Sequence, residues 1–128
     1  MSELYVLDAS AVICLIDEEK GAEVVDRLVA NALISAVNLA EVVAKLQERG
    51  GTDTMIDAAL EALELETINF DLAQAKQSGK LRNATRSKGL SLGDRACLSL
   101  AASRGAIAVT TDKAWKDLDN IARILLVR

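Results

Sequence analysis

Histidine and proline are both missing from this 128-residue chain, and Tyr5, Phe70 and Trp115 are its only aromatic residues. Without histidine there can be no Ser-His-Asp or Cys-His arrangement and no imidazole base. Acid–base or metal chemistry must therefore run on Asp, Glu, Lys, Ser or Tyr. Two cysteines, Cys14 and Cys97, cannot make an ordinary zinc site without histidine. Both fall in apolar helical patterns, where cysteine serves as a small buried hydrophobe. So few aromatics give no platform on which bases would stack, and a nucleic acid would be held mainly by its phosphates. No apolar run reaches the roughly 18 residues of a membrane span. The opening LYVLDASAVICLI is interrupted by Asp8 and lacks a basic flank, so it does not read as a signal peptide. A cytoplasmic protein without a membrane partner is expected.

What is present is a chain of one-domain size, 51% apolar, with a sizeable core within reach and no linker, repeat or low-complexity stretch. A single domain over residues 1–128 is expected. The net charge of −4 argues against a general nucleic-acid coat protein. Basic residues nevertheless cluster: Lys76, Lys80, Arg82, Arg86, Lys88 and Arg95 are interrupted by no acid except Asp94. That run has two readings, a solvated helix face or a phosphate-steering rim made by Lys80, Arg82, Arg86, Lys88 and Arg95.

Strand-like and helix-like segments alternate. Short strands are expected at about residues 4–8, 32–35, 65–69, 106–110 and 124–127. Helices are expected at about 10–17, 21–30, 38–49, 53–63, from 71 toward the mid-80s, 92–104 and 113–118. Gly50-Gly51 and Gly105 read as helix stops. Asp71-x-x-Gln74, Asn38-x-x-Glu41 and Ser91-x-x-Asp94 read as capping boxes. This alternation implies a parallel sheet covered on both faces.

Four acids stand at breaks in the pattern: Asp8 in LYVLDASAV, Glu41 in SAVNLAEVVAKL, Asp94 in LSLGDRACLSLA and Asp112 in AIAVTTDKAW. Each has a structural explanation as a helix cap. Together they mean more, because Asp8 and Asp112 close strands while Glu41 and Asp94 stand near helix N-termini. In a parallel α/β fold those positions share the edge where ligands bind. Carboxylates gathered there repel one another unless a cation neutralises them, and hard cations on carboxylates usually serve phosphate chemistry. Ser10 and Thr111 stand beside the two strand-end acids and can orient them. Asp117 is a further acid at the margin, with a solvated helix face as its other reading.

These motifs resemble those of PIN domains, specifically the VapC-type toxin ribonucleases of bacterial toxin–antitoxin pairs. The resemblance runs in order along nearly the whole chain, and Gly93-Asp94-Arg95 with the small-residue helix after it is the most specific part. It implies a three-layer α/β/α sandwich with a mostly parallel sheet of four or five strands. It further implies Mg²⁺- or Mn²⁺-dependent endonucleolytic cleavage of RNA, with Asp8, Glu41, Asp94 and Asp112 as catalytic and metal-holding residues. Asp117 matches a position that is acidic in only some members. The resemblance also implies a homodimer and a cognate antitoxin partner. A free-standing PIN nuclease or a non-catalytic PIN-like binding module are the alternatives. Haloacid-dehalogenase-like and receiver folds also place acids at strand ends. The first needs an acid where Ser10 stands, and the second needs a pair of acids where Asp8 is followed by Ala9.

Overall fold

A computed structural model describes residues 3–128, and within them the expected alternation is realised. The strands are β1 (Tyr5–Leu7), β2 (Ala32–Ser35), β3 (Glu66–Ile68), β4 (Ile107–Thr110) and β5 (Arg123–Leu126). The helices are α1 (Ala9–Ile16), α2 (Ala22–Leu28), α3 (Ala36–Glu48), α4 (Asp53–Leu63), α5 (Leu72–Lys80), α6 (Arg82–Thr85) and α7 (Leu92–Arg104). All strand pairings are parallel, and the five strands lie in the order β3-β2-β1-β4-β5.

Alternate residues of the central strands feed two separate cores. Val6, Leu33 and Ala108 face one side of the sheet, where α7 supplies Leu98 and Leu100 and the 3₁₀ turn at Lys113–Asp117 supplies Trp115. Leu7, Ile34 and Val109 face the other, where α1, α2 and α3 bring Val12, Val25 and Val42. Burial on both faces explains why β1, β2 and β4 are almost continuously apolar, whereas the edge strand β3 exposes Glu66 and Thr67. Trp115 is fully buried and plugs the core on the α7 side of the sheet. Cys14 and Cys97 are free and buried, and burial pushes both thiols up, Cys97 well up. They are packing residues, not nucleophiles.

Two local expectations need correction. The helix expected from 71 toward the mid-80s is divided near Leu81 into α5 and the short α6. Asn38 does not cap α3. Ser35 is the cap, its Oγ accepting from the Val37 amide at 3.2 Å, so the helix starts earlier and Asn38 lies within it. Ser35 was hidden from the pattern because it also ends β2.

The strand order decides where the site lies. The chain runs outward from β1 through β2 to β3, then crosses back to place β4 on the other side of β1. The switch point is therefore between β1 and β4, and the crevice at their carboxyl ends is where Asp8 and Asp112 emerge.

Candidate active site

Asp8 follows β1 directly and is 4% exposed. Its amide donates to the Val109 carbonyl at 3.0 Å, extending the β1–β4 ladder by one bond. Its Oδ1 accepts from the Ala11 amide at 2.8 Å, capping α1, and from Ser10 Oγ at 2.7 Å. Its Oδ2 accepts from Thr110 Oγ1 at 2.5 Å. Burial pushes the Asp8 carboxyl up from 3.8 to about 6 despite these bonds, and the charge of Asp94 adds to the rise.

Beside Ser10, the hydroxyl that reaches Asp8 belongs to Thr110, which the sequence did not single out. Leu7 is paired with Val109, so the next residues, Asp8 and Thr110, meet across the strand ends. Thr111 instead donates its backbone N–H to Ser10 Oγ at 3.0 Å, and the Asp112 amide donates to Thr110 Oγ1 at 3.0 Å. With Ser10 Oγ also 3.3 Å from Thr110 Oγ1, the Thr110–Asp8, Thr111–Ser10 and Ser10–Thr110 links stitch the end of β4 to the start of α1. The strand register was the missing signal.

Asp94 sits in the expected capping box at the start of α7. Its amide donates to Ser91 Oγ at 3.2 Å, and its Oδ2 accepts from the Ser91 amide at 3.0 Å. Asp112 opens the 3₁₀ turn, its Oδ1 accepting from the Ala114 amide at 2.9 Å. Capping therefore fixes three of the four acids rather than competing with a role at the site.

Glu41 is held differently. The buried Asn38 carboxamide donates to Glu41 Oε1 at 2.8 Å and to the Gly93 carbonyl at 3.0 Å, latching α3 to the start of α7. Gly93 leaves room for this. A Cβ there would stand 2.2 Å from Glu41 Oε1 and 2.5 Å from its Cδ. The Glu41 carboxyl is raised by burial and by the charge of Asp94, against the Asn38 bond. Neither Asn38 nor Gly93 was singled out in this role from the sequence, since nothing local ties residue 38 to residue 93.

All four acids line one cavity of about 370 Å³, together with Ser10, Asn38 and Thr111. Among the described residues none of the four forms an ion pair. A second cavity of about 440 Å³, lined by Gln77, Lys80 and Ser103 among others, has no carboxylate in its wall.

The donor set fits a hard divalent cation. It consists of carboxylates plus the Asn38 Oδ1, a buried oxygen without a hydrogen-bond partner. Among the described residues, however, no three acids already stand close enough to form a complete metal cage. Mg²⁺ does not require one, because it characteristically takes one or two carboxylates and fills its shell with water and substrate phosphate.

The basic run stands apart from this cavity. Arg95 is buried, its guanidinium donating to the Ser78 carbonyl at 3.1 Å, so it braces α7 against α5 and is unavailable to substrate. Lys88 pairs with Asp117 at 3.1 Å. Lys80 borders the second cavity, and Arg82 and Arg86 border a shallow pocket near Gly89. Lys80, Arg82, Arg86, Lys88, Arg95 and Asp117 all lie outside the acidic wall. The cations that do line the cavity are Lys45, Arg49 and Arg128.

A family model described as PIN domain matches residues 5–121. No curated protein sequence matches the chain. Among solved structures, VapBC2 from Rickettsia felis, bound to a promoter DNA fragment, is similar with a TM-score of 0.73 and 20% identity, over 96% of this chain and 98% of that one. VapBC-5 from Mycobacterium tuberculosis is similar with a TM-score of 0.62 and 24% identity, over 99% of both chains. VapC20 from the same organism, a sarcin-ricin loop cleaving toxin, is similar with a TM-score of 0.70 and 16% identity, over 91% of this chain and 93% of that one. The likeness to these structures establishes the shared α/β/α fold.

Proposed function

This chain belongs to the PIN domain family, and from that premise we propose that it is a metal-dependent endoribonuclease, the toxin of a toxin–antitoxin pair. The observation that carries the reading is the meeting of Asp8, Glu41, Asp94 and Asp112, from four separate elements, in one cavity at the sheet's switch point. Among the described residues none of them has a cationic partner to justify its place structurally. The similar structures include toxin–antitoxin complexes and an RNA-cleaving toxin, which supports both the substrate class and an antitoxin partner. A homodimer is part of the same proposal. Among the described residues no helix is long and apolar enough to cross a membrane.

Asp8 and Asp94 are the residues assigned to hold Mg²⁺ or Mn²⁺, with Glu41 and Asp112 completing the set directly or through water. Such a cation, when bound, ionises water near neutral pH and offsets the charge that builds on the phosphate. The protein's own share is preorganisation. Ser10, Thr110 and the Ala11 amide hold both oxygens of Asp8, the capping box holds Asp94, and the Asn38 latch holds Glu41. These three carboxylates are bonded before substrate arrives. Hydrolysis by water, without attack by the 2′-hydroxyl, leaves a 5′-phosphate and a 3′-hydroxyl.

The test is cleavage of RNA by the purified chain, with end mapping. Activity should vanish in EDTA, return with Mg²⁺ or Mn²⁺, and be lost in a folded Asp94→Asn variant. Full activity in chelator, or in Asp94→Asn, refutes the metal mechanism. Folded protein that neither cleaves RNA nor binds Mn²⁺ would make it a binding module.

A further inference from the structure

The acidic cavity has five carboxylates in its wall, Glu19 included, against three cations. On a chain of net charge −4, an RNA strand needs a local reason to approach it. The three cations supply one, and two of them extend a line that starts at an assigned catalytic acid. Glu41 and Lys45 stand at i and i+4 on one face of α3, and Arg49, four residues further on, caps its C-terminal end. Each step along that face is about 6 Å, comparable to the step between neighbouring phosphates of an extended single strand.

Lys45 is exposed and forms no ion pair among the described residues. Arg49 pairs with Asp17 at the end of α1. Arg128 pairs with Glu19 at 3.0 Å and also donates to the Lys20 carbonyl at 3.4 Å. All four side chains of these two pairs are at least 31% exposed, so exchanging a carboxylate for a phosphate costs little desolvation.

We infer that Lys45 on α3 and Arg49 at its C-terminal end, flanked by Arg128, form a cationic track that binds the backbone of the RNA strand on one side of the bond to be cut. Lys45 takes the first phosphate beyond the acids. Arg49 and Arg128 take those further out by exchanging Asp17 and Glu19 for the strand. The inference rests on the nuclease reading for its substrate, but it places the contact on α3 and not on the 80–95 segment.

The experiment measures binding of a fluorescent single-stranded RNA oligonucleotide in EDTA, where cleavage is absent, as a function of salt. Neutralising one phosphate contact on a single strand lowers the steepness of log K against log[salt] by about 0.7. Lys45→Gln and Arg49→Gln should each show that loss and bind several-fold more weakly. Lys80→Gln, in the other cavity wall, should match the wild type. Asp17→Asn, which frees Arg49, should bind more tightly than wild type, and Asp26→Asn, on the exposed face of α2, should not. The track is refuted if Lys45→Gln and Arg49→Gln keep the wild-type salt dependence, if the loss falls on Lys80→Gln instead, or if the wild type binds no RNA. The same preparations are then given Mg²⁺ or Mn²⁺. Binding through Lys45 without cleavage overturns the nuclease reading and leaves the track standing.

Discussion

Asp8 should weaken the protein it serves. Its carboxyl is almost fully buried, and burial lifts it from 3.8 to about 6, so the fold prefers the protonated acid. The native state then holds a proton that the unfolded chain releases. Stability from this group is fully present below the unfolded value, falls as pH rises, and is gone above about 6. At 1.36 kcal/mol per pH unit of displacement, integration between about pH 4 and about pH 8 gives a loss of about 2 kcal/mol.

Asp8→Asn removes that loss while leaving the bonding pattern intact. The amide oxygen can accept from Ala11 and Ser10 as now. The amide nitrogen can donate to Thr110 Oγ1, whose own hydrogen then turns to Ser10 Oγ, 3.3 Å away. Urea unfolding in chelator, at about pH 4 and about pH 8, should show the wild type falling by about 2 kcal/mol relative to the variant over that interval. Other carboxylates titrate in both proteins and largely cancel. Mn²⁺ at about pH 8 should then stabilise the wild type and not the variant. A difference between the two proteins that stays level with pH would refute the claim that burial of this carboxylate costs the metal-free fold stability.

Three further perturbations separate the site from the scaffold. Gly93→Ala puts a methyl group where the Glu41 carboxylate lies, and that carboxylate ends an exposed, flexible side chain. Unfolding stability should therefore stay within about 1 kcal/mol of wild type, because alanine favours a helix interior. Mn²⁺ affinity in a calorimetric titration should fall at least several-fold; unchanged affinity would remove the Asn38–Gly93 latch from the account. Thr110→Val deletes the bond to Asp8 Oδ2 and the acceptor for the Asp112 amide. It should cost about 1.5–3 kcal/mol near pH 8 and less near pH 4, since hydrogen bonds to a charged group are the stronger ones. A pH-independent loss would mean that Thr110 does not favour ionised Asp8. Trp115→Ala empties a fully buried site in the α7-side core and should cost about 3–5 kcal/mol in thermal or urea unfolding. A loss under about 1 kcal/mol would contradict its reading as a core plug.

The sequence alone was enough for what depends on near neighbours. Alternating apolar segments with turn signals between them define strands and helices, and these imply a parallel sheet with two covered faces. The Ser91–Asp94 capping box, Asp8 and Asp112 as caps, and Gly105 as a helix stop with φ 61° are all local, and all are present. Motif order along the chain was sufficient to place it in its family. The absence of histidine had already narrowed acid–base or metal chemistry to Asp, Glu, Lys, Ser or Tyr.

Tertiary structure decided whatever depends on pairing between distant segments. The order β3-β2-β1-β4-β5 puts the switch point at β1 and β4, and the register there chooses Thr110 over Thr111 as the partner of Asp8. Packing of α3 against α7 makes Asn38 and Gly93 the support for Glu41, though 55 positions separate them. It also decides which cations line the acidic cavity. No cation of the dense run around residues 80–95 lines that cavity, whereas Lys45 and Arg49, scattered in sequence, do, because four residues are close to one helical turn. Charge density along a chain is a one-dimensional quantity. A phosphate meets only the charges that the packing of helices against the sheet brings to the same edge.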